Sequence, residues 1–219
     1  MAPLRPGREE RIAFVSQGLQ LEGRWTAPRK TPGAAAVVCH PHPQFGGNLD
    51  NNVVLAVTEA LDEAGLGSLR FNFRGVGQSQ GAYDFMTGEI ADVKSALTFL
   101  QARPEVDPAR VSLVGYSFGG LMALYAAAET PDLAGLALIS PMVPEPGFAQ
   151  DPRLQPLSGS KLPALACTGD QDAFCPPQAL AGLEKLLPCR TRIFPDADHF
   201  WWGQDQAVAQ AIVEFLSQP

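Results

Sequence analysis

The chain has 219 residues, 46% of them hydrophobic, and its 16 basic and 23 acidic residues give a net charge of -7. This length fits one core and predicts a single domain over residues 1–219. The acidic balance excludes nucleic acid as an expected partner, because a phosphate backbone would be repelled. The apolar runs are shorter than the ~20 residues of a membrane span, and the charged N-terminus lacks a signal-peptide core. We therefore expect a cytoplasmic protein with no membrane partner.

Short apolar runs alternate with amphipathic segments along the chain. The strand-like runs are IAFVSQGLQLEGRW, which predicts a hairpin, and then AAAVVCH, SLRFNF, RVSLVGY, LAGLALIS, LPALACTG and CRTRIFP. The helix-like segments are NLDNNVVLAVTEALDEAG with Asp50 as its N-cap, TGEIADVKSALTFLQARP, SFGGLMALYAAAE, PPQALAGLEKLL and QDQAVAQAIVEFLSQ. This alternation predicts an α/β fold with a mostly parallel, doubly wound sheet after an antiparallel hairpin.

A stretch rich in proline and glycine, residues 140–161, interrupts the alternation. It is longer than a typical connection, which predicts a functional loop over the edge of the sheet. Because no large insertion separates the strands on either side of it, we expect at most a short lid. An open cleft of this kind would suit small acyl substrates. The four cysteines, none at C-x-x-C spacing, are expected to be thiols without a catalytic role.

A serine that performs acyl transfer needs a tight strand-to-helix turn with small residues two positions before and after it, the pattern G-x-S-x-G. The pattern occurs around Ser79 and around Ser117. Ser117 follows the strand-like run VSLV and precedes a helix rich in alanine and leucine, so it is the predicted nucleophile. Ser79 is followed by the turn-like AYDFMTG and is predicted to be structural. The same context argues against a dinucleotide site at Gly75 and Gly77, since no helix opens directly after them.

The hydroxyl needs a base near neutrality, for which imidazole is suited. His199 lies between the last strand and the last helix, at the sheet edge where the serine turn must also emerge, and is the predicted base. The acid that orients it should follow the strand LPALACTG, where Asp170 and Asp172 both qualify. Asp172 is preferred, because Asp170 directly follows Gly169 and would more readily be used within the turn.

These segments resemble the α/β-hydrolase family, in particular its small bacterial members with HPHP-x-x-GG, RGVGxSxG, GYSFGG and D-H-F in this order. The resemblance covers nearly the whole chain. It implies a sheet of about eight strands, a triad of Ser117, Asp172 and His199, and carboxylesterase-like hydrolysis. It also implies an acid placed as G-x-x-D, which fits Gly169 and Asp172 independently of the turn argument.

A tetrahedral intermediate needs backbone N–H donors from the residue after the nucleophile and from the loop after the third strand. Phe118 is the predicted first donor. The second should come from HPHPQFGG, whose prolines lack an N–H, and Gln44 and Phe45 are preferred over His42. The expected substrate-binding residues are His42 and the aromatic side chains of the motif loops, for which packing between loops is the alternative: Phe45, Phe174, Trp201 and Trp202.

The sequence thus predicts a serine esterase for small-molecule esters, with neither a metal nor an organic cofactor. His40 and His42 have the H-x-H spacing of metal ligands, but no clear third ligand accompanies them. A thioesterase or peptidase could use the same triad, because fold does not fix substrate. A dienelactone hydrolase would usually have a cysteine in place of Ser117. A binding module that has lost catalysis is the remaining alternative, which the intact set of candidate residues disfavours.

Overall fold

The computed structural model describes residues 9–143 and 150–218. Its eight strands form one sheet in the order β1-β2-β4-β3-β5-β6-β7-β8. The strands are β1 (Glu9–Ser16), β2 (Leu19–Thr26), β3 (Gly33–Cys39), β4 (Gly67–Phe71), β5 (Val106–Tyr116), β6 (Gly135–Ile139), β7 (Ala164–Gly169) and β8 (Cys189–Phe194). Only the pairs β1-β2 and β2-β4 are antiparallel. The predicted hairpin and mostly parallel sheet are therefore confirmed.

Helices cover both faces of the sheet, as doubly wound α/β folds require. They are α1 (Asn52–Glu63), α2 (Thr87–Gln101), α3 (Phe118–Ala128), α4 (Ala181–Glu184) and α5 (Asp205–Leu216). The helices α2 and α3 pack on one face and α1 and α5 on the other, each with its own buried apolar cluster. None of the helices in the described part of the chain has the length and apolar character needed to cross a membrane.

Three local expectations differ from the structure. Asp50 is not the N-cap of α1: the Asn51 side chain accepts the N–H of Val53 at 3.0 Å, while Asp50 lies 3.3 Å from the Arg70 guanidinium. The helix predicted for PPQALAGLEKLL is a 3-10 turn over Pro177–Leu180 followed by the four residues of α4. Within the predicted loop 140–161, residues 144–149 lie outside the described residues, and Pro152–Leu157 form a 3-10 helix.

Buried polar contacts fix the loop that follows β4. Two guanidinium nitrogens of Arg74 donate to the fully buried Asp92 carboxylate, at 3.0 and 2.8 Å. This carboxylate also accepts the backbone N–H of Arg74. Ser79, in the second G-x-S-x-G segment, donates its hydroxyl to the Asn72 carbonyl at 2.7 Å and accepts the N–H of Glu22 at 3.1 Å. The hydroxyl of Ser79 is thus used within the loop.

The pair formed by Arg74 and Asp92 is expected to contribute strongly to stability. Replacement Asp92→Ala should lower the free energy of unfolding by about 3–5 kcal/mol, because the buried guanidinium loses its two close carboxylate contacts and keeps the more distant Asp84, at 3.7 Å, as its counter-ion. Urea unfolding followed by circular dichroism measures this loss. The matched control is Glu129→Ala, which breaks an exposed pair with Lys94 and should cost about 1 kcal/mol or less. Similar small losses in both variants would contradict the assignment.

Candidate active site

Ser117 lies in a sharp turn between the end of β5 and the start of α3. Its backbone has φ +54° and ψ -117°, a conformation that non-glycine residues rarely adopt. A Cβ at Gly115 would collide with the carbonyl oxygen of Gly119, and a Cβ at Gly119 would collide with that of Cys39. Both glycines of the segment are therefore required by close backbone approach. The turn leaves the Ser117 hydroxyl half-buried at the carboxyl edge of the parallel strands.

The side chains of Ser117, His199 and Asp172 form a continuous hydrogen-bonded chain. The Ser117 Oγ lies 3.0 Å from His199 Nε2, and His199 Nδ1 lies 3.0 Å from each carboxylate oxygen of Asp172. In a neutral imidazole, a proton on Nδ1 that is donated to Asp172 leaves Nε2 free to accept the serine proton. The loops after β5, β7 and β8 thus bring together three residues that are distant in sequence.

Asp172 is a buried carboxylate with several hydrogen-bond donors. Its Oδ1 accepts the N–H groups of Phe174 and Cys175 at 2.9 and 2.8 Å. Burial raises the pKa of Asp172, but the bonds from His199, Ser140 and Cys175 outweigh it, so the pKa lies below its usual range. The group is ionised at neutral pH. The sequence alternative, Asp170, instead accepts the N–H of Asp196 at 2.8 Å within the neighbouring turns.

Two further residues lie behind the Asp172 carboxylate. Ser140, fully buried at the end of β6, has φ +42° and hydrogen-bonds to Asp172. Its Oγ accepts the indole N–H of Trp201 at 3.0 Å. Trp201 is itself fully buried and packs against Phe194, which differs from the expectation that it lines the substrate cleft. The pattern DHFWW did not distinguish Trp201 from its neighbour, and no sequence signal marked Ser140.

Two hydrogen bonds, one from the end of β5 and one from the start of α1, hold the loop that carries His199. The Tyr116 hydroxyl donates to the carbonyl oxygen of His199 at 2.7 Å. Asn52, at the first turn of α1, donates its side-chain amide to the carbonyl of Phe200 at 3.1 Å. These residues position the imidazole without contacting its nitrogens. Tyr116 adjoins Ser117 in the sequence, but only the fold shows that its side chain reaches the histidine loop.

The loop after β3 contains a 3-10 turn over Pro43–Phe45. Within it, the Gln44 N–H donates to His42 Nδ1 at 3.2 Å and the Phe45 N–H donates to the His42 carbonyl at 3.1 Å. Both preferred second oxyanion donors are thus already used inside the turn. Among residues 9–143 and 150–218, neither the N–H of His42 nor that of Phe118 has a hydrogen-bond partner. The His42 ring lies 4.7 Å from the ring of Phe118.

The remaining predicted binding residues lie at the surface around this site. Phe45 is 86%, Phe174 71% and Trp202 74% exposed. The ring of Phe174 lies 4.9 Å from that of His199, and the ring of Phe45 lies 4.8 Å from that of His42.

His40, the other half of the H-x-H pair, is an interior residue. Its Nδ1 lies 2.6 Å from the Pro41 carbonyl, and its Nε2 accepts the Phe73 N–H at 3.1 Å. Burial lowers the pKa of His40 to about 4, so the ring is neutral at physiological pH. With both nitrogens engaged, His40 serves as a support for the loops after β3 and β4.

The chain is similar to several α/β hydrolases. A family model described as an α/β-hydrolase domain matches residues 35–210. An uncharacterized protein of Rickettsia prowazekii is 30% identical over 212 residues, which covers 94% of this chain and 87% of the relative. A solved α/β serine hydrolase homologue from Coxiella burnetii is 33% identical, with a TM-score of 0.82 and coverage of 94% and 96%. A serine hydrolase without a lid from Xanthomonas campestris is 29% identical, with a TM-score of 0.80 and coverage of 99% and 100%.

The contact between Ser140 and Trp201 can be tested by a double-mutant cycle. Replacement Ser140→Ala should lower the free energy of unfolding by about 1–3 kcal/mol, because the buried indole N–H loses its acceptor. In a Trp201→Phe background the same replacement should cost less, and urea unfolding measures the difference. Ser140→Ala should also raise the pKa of Asp172, as followed by carbon NMR of the carboxyl group. Additive losses together with an unchanged pKa of Asp172 would show that Ser140 supports neither Trp201 nor the Asp172 carboxylate.

Proposed function

The chain belongs to the α/β-hydrolase family, and on this premise we propose that it is a serine hydrolase that cleaves small carboxylic esters. The observation that carries the proposal is the 3.0 Å contact between Ser117 Oγ and His199 Nε2, continued by the imidazole to a buried carboxylate. Ser117 is the nucleophile, His199 the general base and Asp172 the group that orients the imidazole. This division of roles follows the acyl-transfer chemistry of serine–histidine–acid triads.

Acylation begins when Ser117 Oγ attacks the ester carbonyl carbon while its proton passes to His199 Nε2. The imidazolium that forms is stabilised by the ionised Asp172, which stays deprotonated. Collapse of the tetrahedral intermediate breaks the bond to the alcohol oxygen, and that oxygen takes the proton from Nε2. Water then repeats the sequence on the acyl-enzyme: it loses a proton to Nε2, attacks the carbonyl carbon and releases the acid as Ser117 regains its proton.

The intermediate's negative oxygen needs donors at the mouth of the turn. We assign the N–H of Phe118 as one donor and the N–H of His42 as the other. The choice of His42 over Gln44 and Phe45 rests on the hydrogen bonds inside the 3-10 turn, which already occupy the other two N–H groups. The Phe118 N–H is available because it belongs to the first residue of α3, where a helix has no internal acceptor.

Small esters are favoured as substrates by the absence of a lid in the similar Xanthomonas hydrolase. An open site shields little of a substrate and leaves recognition to the groups around the triad. Thioesters and peptides are the alternative substrates for the same nucleophile. A peptide bond is harder to cleave than an ester bond, because an amine is a poorer leaving group than an alcohol.

Removal of any member of the triad should abolish ester hydrolysis. Ser117→Ala and His199→Ala should each lower kcat by roughly 10³-fold or more, because the remaining groups only bind and polarise the carbonyl. Hydrolysis of short- and long-chain p-nitrophenyl esters measures this, with circular dichroism as the test of folding. Ser79→Ala is the matched control, since it removes the other G-x-S-x-G hydroxyl, and it should keep most of its kcat. Full activity of Ser117→Ala would refute the mechanism.

The second oxyanion donor can be identified by replacing a backbone amide with an ester. Lactate at position 42 removes the N–H there, and its comparison is alanine at the same position, which lacks the imidazole but keeps the N–H. The lactate variant should have a kcat lower by about 10²–10³-fold than the alanine variant. The same exchange at position 44 should have a much smaller effect. A larger loss of kcat at position 44 than at position 42 would identify the Gln44 N–H as the second oxyanion donor.

A further inference from the structure

Exposed aromatic side chains concentrate at one edge of the sheet. Within the described part of the chain, every large aromatic side chain that is at least half exposed lies in a loop after β3, β4, β7 or β8; these are Phe45, Phe85, Phe174, Phe200 and Trp202. These four strands run parallel, so all of these loops emerge at the edge that carries Ser117. Exposed apolar clusters of this kind mark binding surfaces.

Four of these five rings form two groups, one beside His199 and one beside His42; Trp202 belongs to neither group. Phe174 and Phe200 flank the imidazole of His199, with ring centroids 4.9 and 5.8 Å away, and lie edge to face with each other at 6.3 Å. The second group surrounds the loop of the assigned oxyanion donor: Phe45 and Tyr83 pack on the His42 ring, and Phe85 packs on Tyr83. The alcohol part and the carbonyl part of a bound ester would therefore lie beside different aromatic side chains.

The chemistry of the proposed function decides which part of the ester meets Phe174 and Phe200. His199 Nε2 must give its proton to the departing alcohol oxygen, so that oxygen lies within hydrogen-bonding distance of the imidazole. The carbonyl oxygen points instead to the N–H donors at Phe118 and His42. The alcohol part of the substrate is consequently the part that lies beside the rings flanking His199.

Hydrogen bonds already hold these two aromatic residues in place. The Phe174 N–H donates to Asp172 Oδ1 at 2.9 Å, and the Phe200 N–H donates to Asp198 Oδ1 at 2.9 Å. The carbonyl of Phe200 is bound by Asn52. Because the contacts that position the triad also position these backbones, little ordering is left to occur when a substrate binds.

The charge of the same loops selects against anionic alcohols and thiols. Residues 170–175 and 195–204 contain four aspartates and neither lysine nor arginine. A leaving group with phosphates, such as a nucleotide-bearing thiol, would be repelled, whereas a neutral apolar group would not. Flat rings also gain edge-to-face or offset contacts with phenylalanine that aliphatic groups lack.

We infer that the site prefers neutral esters whose alcohol part carries an aromatic ring, as in benzyl esters, with Phe174 and Phe200 as the residues that select the ring. The inference rests on the proposed function, because it uses the direction of proton transfer from His199.

The test compares two isomeric esters that differ only in the position of the ring. Benzyl propionate has the ring in the alcohol part, and ethyl phenylacetate has it in the acid part. Acid release at constant pH gives kcat/KM for each, with cyclohexylmethyl propionate as the apolar ester whose ring is saturated instead of aromatic. Wild-type protein should prefer benzyl propionate over both, by about tenfold over its isomer, the order of one well-placed aromatic contact.

Variants connect this preference to the named rings. Phe174→Ala should remove most of the preference for benzyl propionate over ethyl phenylacetate, and Phe174→Tyr should retain it. The matched control is Phe85→Ala, which deletes an equally exposed ring on the oxyanion side and should not lower the preference. Val15→Ala, an exposed position on β1 remote from the triad, should change neither rate.

The outcomes separate this inference from the proposed function. Hydrolysis of both isomers at equal rates, or a preference that Phe174→Ala leaves intact, overturns the leaving-group assignment while the esterase stands. A preference for ethyl phenylacetate places the ring-binding surface on the acyl side and also overturns it. Hydrolysis of none of the three esters overturns both conclusions together.

Discussion

The close approach of backbone segments at glycines holds the candidate site together. At Gly119 the first turn of α3 lies directly against the carbonyl of Cys39 at the end of β3, with no room for a Cβ. At Gly169 the end of β7 lies closer still to the carbonyl of Ala197. The first approach brings the proposed nucleophile, Ser117, to the loop of the proposed oxyanion donor His42, and the second brings Asp172 to His199. A methyl group at either position would separate the partners by more than a hydrogen bond can span.

Once the loops are close, the buried Asp172 carboxylate sets their orientation. A charge removed from water is costly unless donors replace its hydration. The backbone N–H groups of Phe174 and Cys175, the Ser140 hydroxyl and the imidazole supply those donors. Because the carboxylate must satisfy all of them at once, its position is fixed to within the tolerance of a hydrogen bond. The hydrogen bonds to Asp172 therefore both stabilise the loops around it and align His199.

The alternation of short apolar runs with longer helix-like segments predicted the eight strands and four of the helices, although β4, β6, β7 and α3 are buried along their whole length and have no exposed face. It could not identify the N-cap of α1, since Asp50 and Asn51 are both good caps and only the fold gives Asp50 a guanidinium partner. The triad candidates followed from chain order. The burial of Trp201 and the choice of the second oxyanion donor did not, because the depth of an indole depends on contacts between segments distant in sequence and the occupancy of an N–H depends on the geometry of its turn.

The exposed rings near the triad have a consequence for the whole surface. Exposed aromatic side chains that could bind a substrate also face water, and two such molecules could associate through them. A net charge of -7 opposes that association over distances of about 8–10 Å at physiological salt. The loops beside His199 carry part of this charge in their aspartates. The carboxylates that would repel an anionic leaving group would thus also repel a second copy of the chain. The same negative charges therefore serve both substrate selectivity and resistance to self-association.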